Sequence, residues 1–298
     1  MHFHRALRSP AFAILAAFSL GAMAAPAPAT TILFIGNSFT YGDPAGAAPL
    51  VRTYRPDSVT DLNGSGWGGV PALFKAFTVQ AGLDYEVSLE TAPGKGLDWH
   101  YENKIGSIAK PFDKVLLQSY STLDAARPGD PATLIKYSGL LAKAFHDRNP
   151  KVDVRLVSTW SRADQTYKPG GAWYGQPIYQ MALDVRAGYD KADLASSLIS
   201  DVIPVGQAWN RAIASGLADA NPFDGIEPGK INLWAPDAYH ASVYGYYLEA
   251  LTIFGKVTGR DPRSLGADEY VARDLGISPA IAASLQQAAA QSAAESAR

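Results

Sequence analysis

Short runs of β-branched and aliphatic residues recur along this chain, and a stretch with helical spacing separates most of them from the next. Thr31-Ile32-Leu33-Phe34-Ile35 is the first run, and it ends at Gly36. A continuously apolar run of this length suits a strand buried on both faces, as in a parallel sheet. Tyr85–Leu89, Val115–Leu117, Val152–Val157 and Val202–Val205 read as four more strands. Pro71 opens a helix to about Ala81, with Leu73, Phe74 and Phe77 on one face. Further helices are expected over 131–146, over 178–189, around Trp209 and over 240–257. The alternation predicts one α/β domain whose parallel sheet is covered on both faces. Segments 42–69 and 164–177 read as Gly/Pro-rich loops, and 282–298 as an Ala-, Gln- and Ser-rich surface helix that frays.

Composition narrows the chemistry. The 298 residues are ample for a full hydrophobic core. The complete lack of cysteine excludes disulfides, thiolate-bound zinc, iron–sulfur clusters and thiol nucleophiles. With 26 basic against 28 acidic residues and no basic run, nucleic acid is not an expected partner. Residues 1–24 read as a signal peptide: Arg5 and Arg8 make a basic start, Ala11–Leu20 an apolar run, and Ala22-x-Ala24 a cleavage signature. The apolar run is shorter than the ~20 residues a membrane span needs. The expected location is therefore periplasmic or secreted, with no stable membrane span in the mature chain.

Two local constellations carry candidate chemistry. In Ile35-Gly36-Asn37-Ser38-Phe39-Thr40, a serine stands just past the first strand. Ligands bind at that edge of open parallel sheets. A hydroxyl there, next to backbone N–H groups, is placed to act as a nucleophile, although such triplets are also common in ordinary turns. In Trp234-Ala235-Pro236-Asp237-Ala238-Tyr239-His240, Asp237 and His240 are three apart. On a helical turn they would share one face. The carboxylate would then hold Nδ1–H and leave Nε2 as a base. A serine, a histidine and an aspartate are the parts of a hydrolytic triad.

A strand-end Gly-x-Ser near the start and an Asp-x-x-His near the end, joined by a βα series, resemble the SGNH/GDSL-type hydrolases over nearly the whole mature length. The resemblance implies a flavodoxin-like three-layer α/β/α sandwich with about five parallel strands, over residues 30–262. Residues 263–298 would form a helical appendage and tail. It implies ester hydrolysis without a cofactor or metal, with Ser38 as nucleophile, His240 as general base and Asp237 as its orienter. It further implies an oxyanion hole from the Ser38 N–H and the N–H of a glycine after the second strand, for which Gly94 fits better than Gly96. A carboxamide after the third strand would complete the hole. Gln118 stands where the family usually has asparagine, which with Gly36-Asn37-Ser38 points to a glutamine-bearing subgroup. Leu97 and His100 match a leucine and histidine of that subgroup; His100 is expected to line the pocket or brace the loop.

The substrate is less legible. Asn37, His100, Trp160 and Trp234 are expected around the substrate, and aromatic faces at a cleft rim can stack on sugar rings or seat an acyl chain. Together with the export pattern they point to an acyl ester, acetyl first, on a carbohydrate. A lipid or small-ester lipase and a non-catalytic glycan-binding module are the alternatives. A flavodoxin-like cofactor protein would leave Asp237 and His240 idle, and no His-Glu-x-x-His supports a metal hydrolase.

Overall fold

The computed structural model describes residues 1–2, 28–43 and 49–295. The signal-peptide segment lies almost wholly outside the described residues. Six strands form one sheet: β1 (Thr30–Gly36), β2 (Thr60–Asp61), β3 (Tyr85–Thr91), β4 (Lys114–Leu117), β5 (Asp153–Ser158) and β6 (Asp201–Pro204). Their order is β2-β3-β1-β4-β5-β6, and every pairing is parallel. All five strands expected from the sequence are present. The sixth, β2, is a two-residue edge strand within the segment expected to be loop. Without it, the order of the five long strands is the flavodoxin-like one.

The helices are α1 (Ser38–Tyr41), α2 (Pro49–Arg52), α3 (Gly69–Gln80), α4 (Leu97–Ile108), α5 (Ala132–His146), α6 (Ala163–Tyr167), α7 (Ile178–Leu194), α8 (Val205–Ala214), α9 (Val243–Thr258), α10 (Tyr270–Asp274) and α11 (Pro279–Glu295). Side chains alternate across β1 and so divide the core. Ile32 and Phe34 pack with residues of α3, α8, α9 and α11, whereas Leu33 and Ile35 pack with residues of α4, α5 and α7. The result is a three-layer α/β/α sandwich with β1 at its centre.

One expectation about the tail does not hold. Helix α11 is no fraying surface helix, because Ala282, Leu285, Ala288 and Ala289 are buried in the larger core cluster. Small side chains let its backbone lie close against α9 and α8. The alanine content that reads as a weak surface pattern is what permits this contact.

Candidate active site

The chain leaves β1, visits the β3 side of the sheet and then crosses to β4. That reversal opens a crevice at the carboxyl end of β1, where α/β sheets bind ligands. Ser38 stands there as the first residue of α1. Three contacts fix the turn. The Asn37 side-chain oxygen caps α1 by accepting from Phe39 N–H at 3.1 Å. The Asn37 amide donates to Lys95 O at 2.9 Å and Ser119 O at 3.3 Å, tying together the exits of β1, β3 and β4. The Phe39 ring stacks on Trp160 at 4.2 Å, and Trp160 stacks on Trp209 at 4.6 Å, anchoring α1 in the core. Gly36 is required for space: a Cβ there would overlap the Thr40 hydroxyl and the Gln118 amide oxygen.

Asp237 and His240 come from a loop between α8 and α9 that is not helical. Its ends are closed by Ser242 N–H to Leu233 O and Ala235 N–H to His240 O, both 2.8 Å. Asp237 Oδ1 accepts from the N–H groups of Tyr239 at 3.0 Å and His240 at 2.9 Å. Ala238 takes φ +58°, in the left-handed region that alanine seldom visits. This Asx-type turn, and not a helical face, is why residues three apart meet.

Asp237 Oδ2 lies 2.6 Å from His240 Nδ1, and His240 Nε2 lies 2.9 Å from Ser38 Oγ. Ser38 is 4% and His240 7% exposed, so the reacting atoms are nearly dry but reachable. Burial pushes the Asp237 carboxyl up. The bonds from the His240 ring and from the two N–H groups together outweigh it and hold its pKa below the ordinary value. The imidazole is flanked by Tyr239, stacked at 4.1 Å, with the Arg162 guanidinium 3.5 Å from the centre of the Tyr239 ring.

The remaining expected residues are placed differently. Gln118 does not aim its amide at the crevice. Its oxygen accepts from Asn37 N–H at 2.9 Å and the Thr40 hydroxyl at 3.2 Å, and its Nε2 donates to Ser119 O. The orphan N–H before α1 needs an acceptor, and that fixes which way the carboxamide points. Among the described residues, the N–H groups of Ser38 and Gly94 have no acceptor. Space is open around Gly94, whose φ is +65°, whereas Gly96 is closed off by the Tyr120 ring. Asn37, His100, Trp160 and Trp234 are all buried. The indole N–H groups of Trp160 and Trp234 donate to Tyr239 O and Ser161 O, so both rings support the histidine loop from within. His100 Nδ1 meets Glu90 at the end of β3, not Asp98.

Three residues that the sequence reading passed over also stand here: Glu90, Tyr246 and Asp43. Tyr246 donates its hydroxyl to Ser38 O at 3.0 Å and accepts from Asp43 N–H at 3.1 Å. Asp43 Oδ2 lies 3.7 Å from His240 Nε2. Only its place four residues after the end of Gly36-Asn37-Ser38-Phe39 hints at Asp43 in the sequence.

No family model matches the sequence, and no curated protein matches it either. Solved structures do resemble the fold. A DUF4886-family protein from Bacteroides uniformis superposes with a TM-score of 0.60 at 18% identity, over 88% of this chain and 93% of that one. A protein described as a GDSL-like lipase, from Parabacteroides merdae, gives 0.52 at 18% identity, over 77% and 95%. The fold is the GDSL-like one. An alpha/beta hydrolase enzyme from the metagenome of Lake Arreo gives 0.50 at 13% identity, over 76% and 95%. In this chain Ser38 follows the central strand β1, and Asp237 and His240 precede α9.

Proposed function

We propose that this chain is a serine esterase that hydrolyses acyl esters, acetyl esters first, through Ser38, His240 and Asp237. The observation that carries this reading is the unbroken chain from Asp237 through His240 to Ser38 Oγ, standing in the crevice at the end of β1. His240 Nε2 takes the Ser38 proton as Oγ attacks the ester carbonyl, and Asp237 steadies the imidazolium that forms. The N–H groups of Ser38 and Gly94, which have no other acceptor among the described residues, receive the oxyanion. His240 then returns the proton to the leaving alcohol. Water, activated by the same nitrogen, releases the acid and restores Ser38. The engagement of Gln118 with the turn leaves it a bracing role. A place in a glutamine-bearing SGNH subgroup rests on this residue and on Asn37.

Export to the periplasm or beyond is part of the proposal and rests on the N-terminal sequence pattern. Among the described residues, no helix is long and apolar enough to cross a membrane. A carbohydrate ester is the proposed substrate. Tyr174, between α6 and α7, is exposed, and Trp99, at the start of α4, is half-buried.

The test is a fluorophosphonate probe, with the adduct mapped by mass spectrometry. The expected result is labelling at Ser38 that disappears in His240→Ala. A probe that leaves Ser38 untouched removes the esterase reading. A panel of acetylated sugars against p-nitrophenyl esters of rising chain length then separates carbohydrate esterase from lipase.

A further inference from the structure

The ring of Tyr239 lies against the base, and no step of the acyl transfer uses it. It stacks on the His240 imidazole at 4.1 Å between centroids, with 29° between the planes. The Arg162 guanidinium lies 3.5 Å from the centre of the same ring. Two groups this close to one ring centre cannot share a face. The tyrosine is therefore a layer between a guanidinium and an imidazole.

The stack is not what holds the loop in place. Tyr239 N–H donates to Asp237 Oδ1 at 3.0 Å, and Tyr239 O accepts from the Trp160 indole at 3.2 Å. Ala238 O accepts from Asp164 N–H at 3.1 Å, and the Trp234 indole donates to Ser161 O at 2.9 Å. The histidine loop thus sits on residues 160–164 through bonds that need no side chain at Tyr239. What the ring alone supplies is a surface for the imidazole.

That surface matters most when the imidazole is charged. On taking the Ser38 proton the ring becomes a cation, and the negative face of a tyrosine attracts a cation. The neutral imidazole gains less from the same contact. An interaction that strengthens toward the transition state is one that raises the rate. Arg162 faces the ring with its charge already met: Asp164 accepts from its Nε at 3.0 Å and from its terminal nitrogen at 2.6 Å. The ion pair fixes the ring flat and leaves its second face to the histidine. The other groups facing His240 are Asp237 at Nδ1, Asp43 Oδ2 at 3.7 Å from Nε2, and Ser38 itself. Tyr41 reaches Asp43, and Tyr246 reaches Ser38 O. All of these stay in place when only the ring at Tyr239 is changed.

We propose that Tyr239 is a positioning residue of the base: its π face, held flat by the Arg162–Asp164 pair, carries the His240 ring and stabilises it as imidazolium. This rests on the esterase reading above and adds to it without changing its steps.

The experiment replaces Tyr239 by phenylalanine and then by phenylalanines bearing one, two and three ring fluorines, which draw electron density from the face and keep its shape. Tyr239→Leu removes the face. The pH profiles of kcat and kcat/KM are recorded with p-nitrophenyl acetate. The acid limb of kcat/KM reports the proton on His240 in the free protein. Tyr239→Phe is expected to keep kcat within ~2-fold of wild type, because the face remains. Added fluorines should lower kcat stepwise and move the acid limb to lower pH, since an imidazolium that is less stabilised gives up its proton sooner. Three fluorines should reach ~0.5–1 pH unit and a ~3- to 10-fold loss in kcat. Tyr239→Leu should fall at the end of the series, with KM little changed. A flat fluorine series overturns the inference, even if Tyr239→Leu does not fold, because a ring needed only for packing keeps its shape throughout. So does an effect confined to KM, which would make the ring a wall for substrate. A limb that moves to higher pH overturns it too. Ser38 labelling by the fluorophosphonate separates the two levels. Without labelling and without turnover, the esterase reading falls and this inference with it; with labelling and a flat series, only the role of Tyr239 falls.

Discussion

Two imidazole–carboxylate pairs stand at the carboxyl edge of this sheet, and they are built alike. In each, Nδ1 of a histidine meets a carboxylate oxygen: His240 with Asp237, and His100 with Glu90. In each, the carboxylate is held by a further donor, Tyr239 and His240 N–H in one and the Asn63 side-chain amide in the other. The difference lies at the far nitrogen. His240 Nε2 faces the Ser38 hydroxyl from a site open to the crevice, whereas His100 Nε2 is buried with no partner among the described residues. An oriented imidazole is therefore only half of a base. A hydroxyl at Nε2 and a path for substrate supply the rest. Without them the same pair is a clamp, and Glu90–His100 joins the two ends of the loop that carries Gly94.

This contrast orders the expected losses. Ser38→Ala and His240→Ala remove the reacting hydroxyl or its base, and ester turnover should drop by ~10⁵–10⁶ in kcat. Steady-state hydrolysis of p-nitrophenyl acetate by each purified variant measures this, and turnover within tenfold of wild type would undo the assignment. Asp237→Asn leaves the ring in place but removes the charge that steadies the imidazolium; a loss of ~10⁴ in kcat is expected. If Asp237→Asn were harmless while Glu90→Gln were crippling, the two pairs would have to exchange roles.

The sequence shows why one pair was visible and the other was not. Asp237 and His240 are close in the chain, so their local bond leaves a spacing to read. Glu90 and His100 are ten apart across a strand end, a loop and a helix start, and no simple period links them. The strands were legible because Ile32, Leu33, Phe34 and Ile35 are all core residues, and burial on both faces demands a continuous apolar run. Edge strand β2 is two partly polar residues, too short to make a pattern. Trp160 and Trp234 misled because an aromatic residue in a strand-exit loop reads the same whether it faces solvent or core. Their buried N–H bonds to backbone carbonyls could be seen only in three dimensions. Gln118 misled for a related reason: its residue type was legible, but the direction of its carboxamide depends on the orphan N–H of Asn37.

If the Glu90–His100 pair is a clamp, its loss should appear in stability before it appears in chemistry. His100→Ala leaves Glu90 Oε2 without its partner while Asn63 still holds Oε1, and leaving a buried polar atom unpaired costs ~1–3 kcal/mol. Thermal unfolding should show a drop of several degrees, at ~2–4 °C per kcal/mol for a domain of this size class. Turnover assayed well below the new midpoint should fall by no more than ~10-fold, because Ser38, His240 and Asp237 are untouched. A collapse of kcat in a protein that still unfolds at the wild-type temperature would make His100 part of the chemistry.

A third carboxyl extends the contrast to a case with no imidazole at all. Glu249 lies inside α9, and its Oε2 has no partner among the described residues. Burial alone pushes its pKa well above the ordinary glutamate value, so the folded protein keeps the proton. The sign follows. Below the ordinary carboxyl range both folded and unfolded chains hold the proton, and the group is neutral to stability. As pH rises, the unfolded chain ionises and the folded one does not, so stability is lost at ~1.4 kcal/mol per pH unit until the folded pKa is passed. Glu249→Gln removes that slope. Its midpoint temperature, relative to wild type, should therefore be higher at pH 8 than at pH 5 by several degrees, with turnover little changed. Parallel curves of midpoint against pH for the two proteins would mean that Glu249 is already ionised in the fold. In that case a buried carboxylate here would need no imidazole beside it, and the orienting partner would cease to be what separates the three acids.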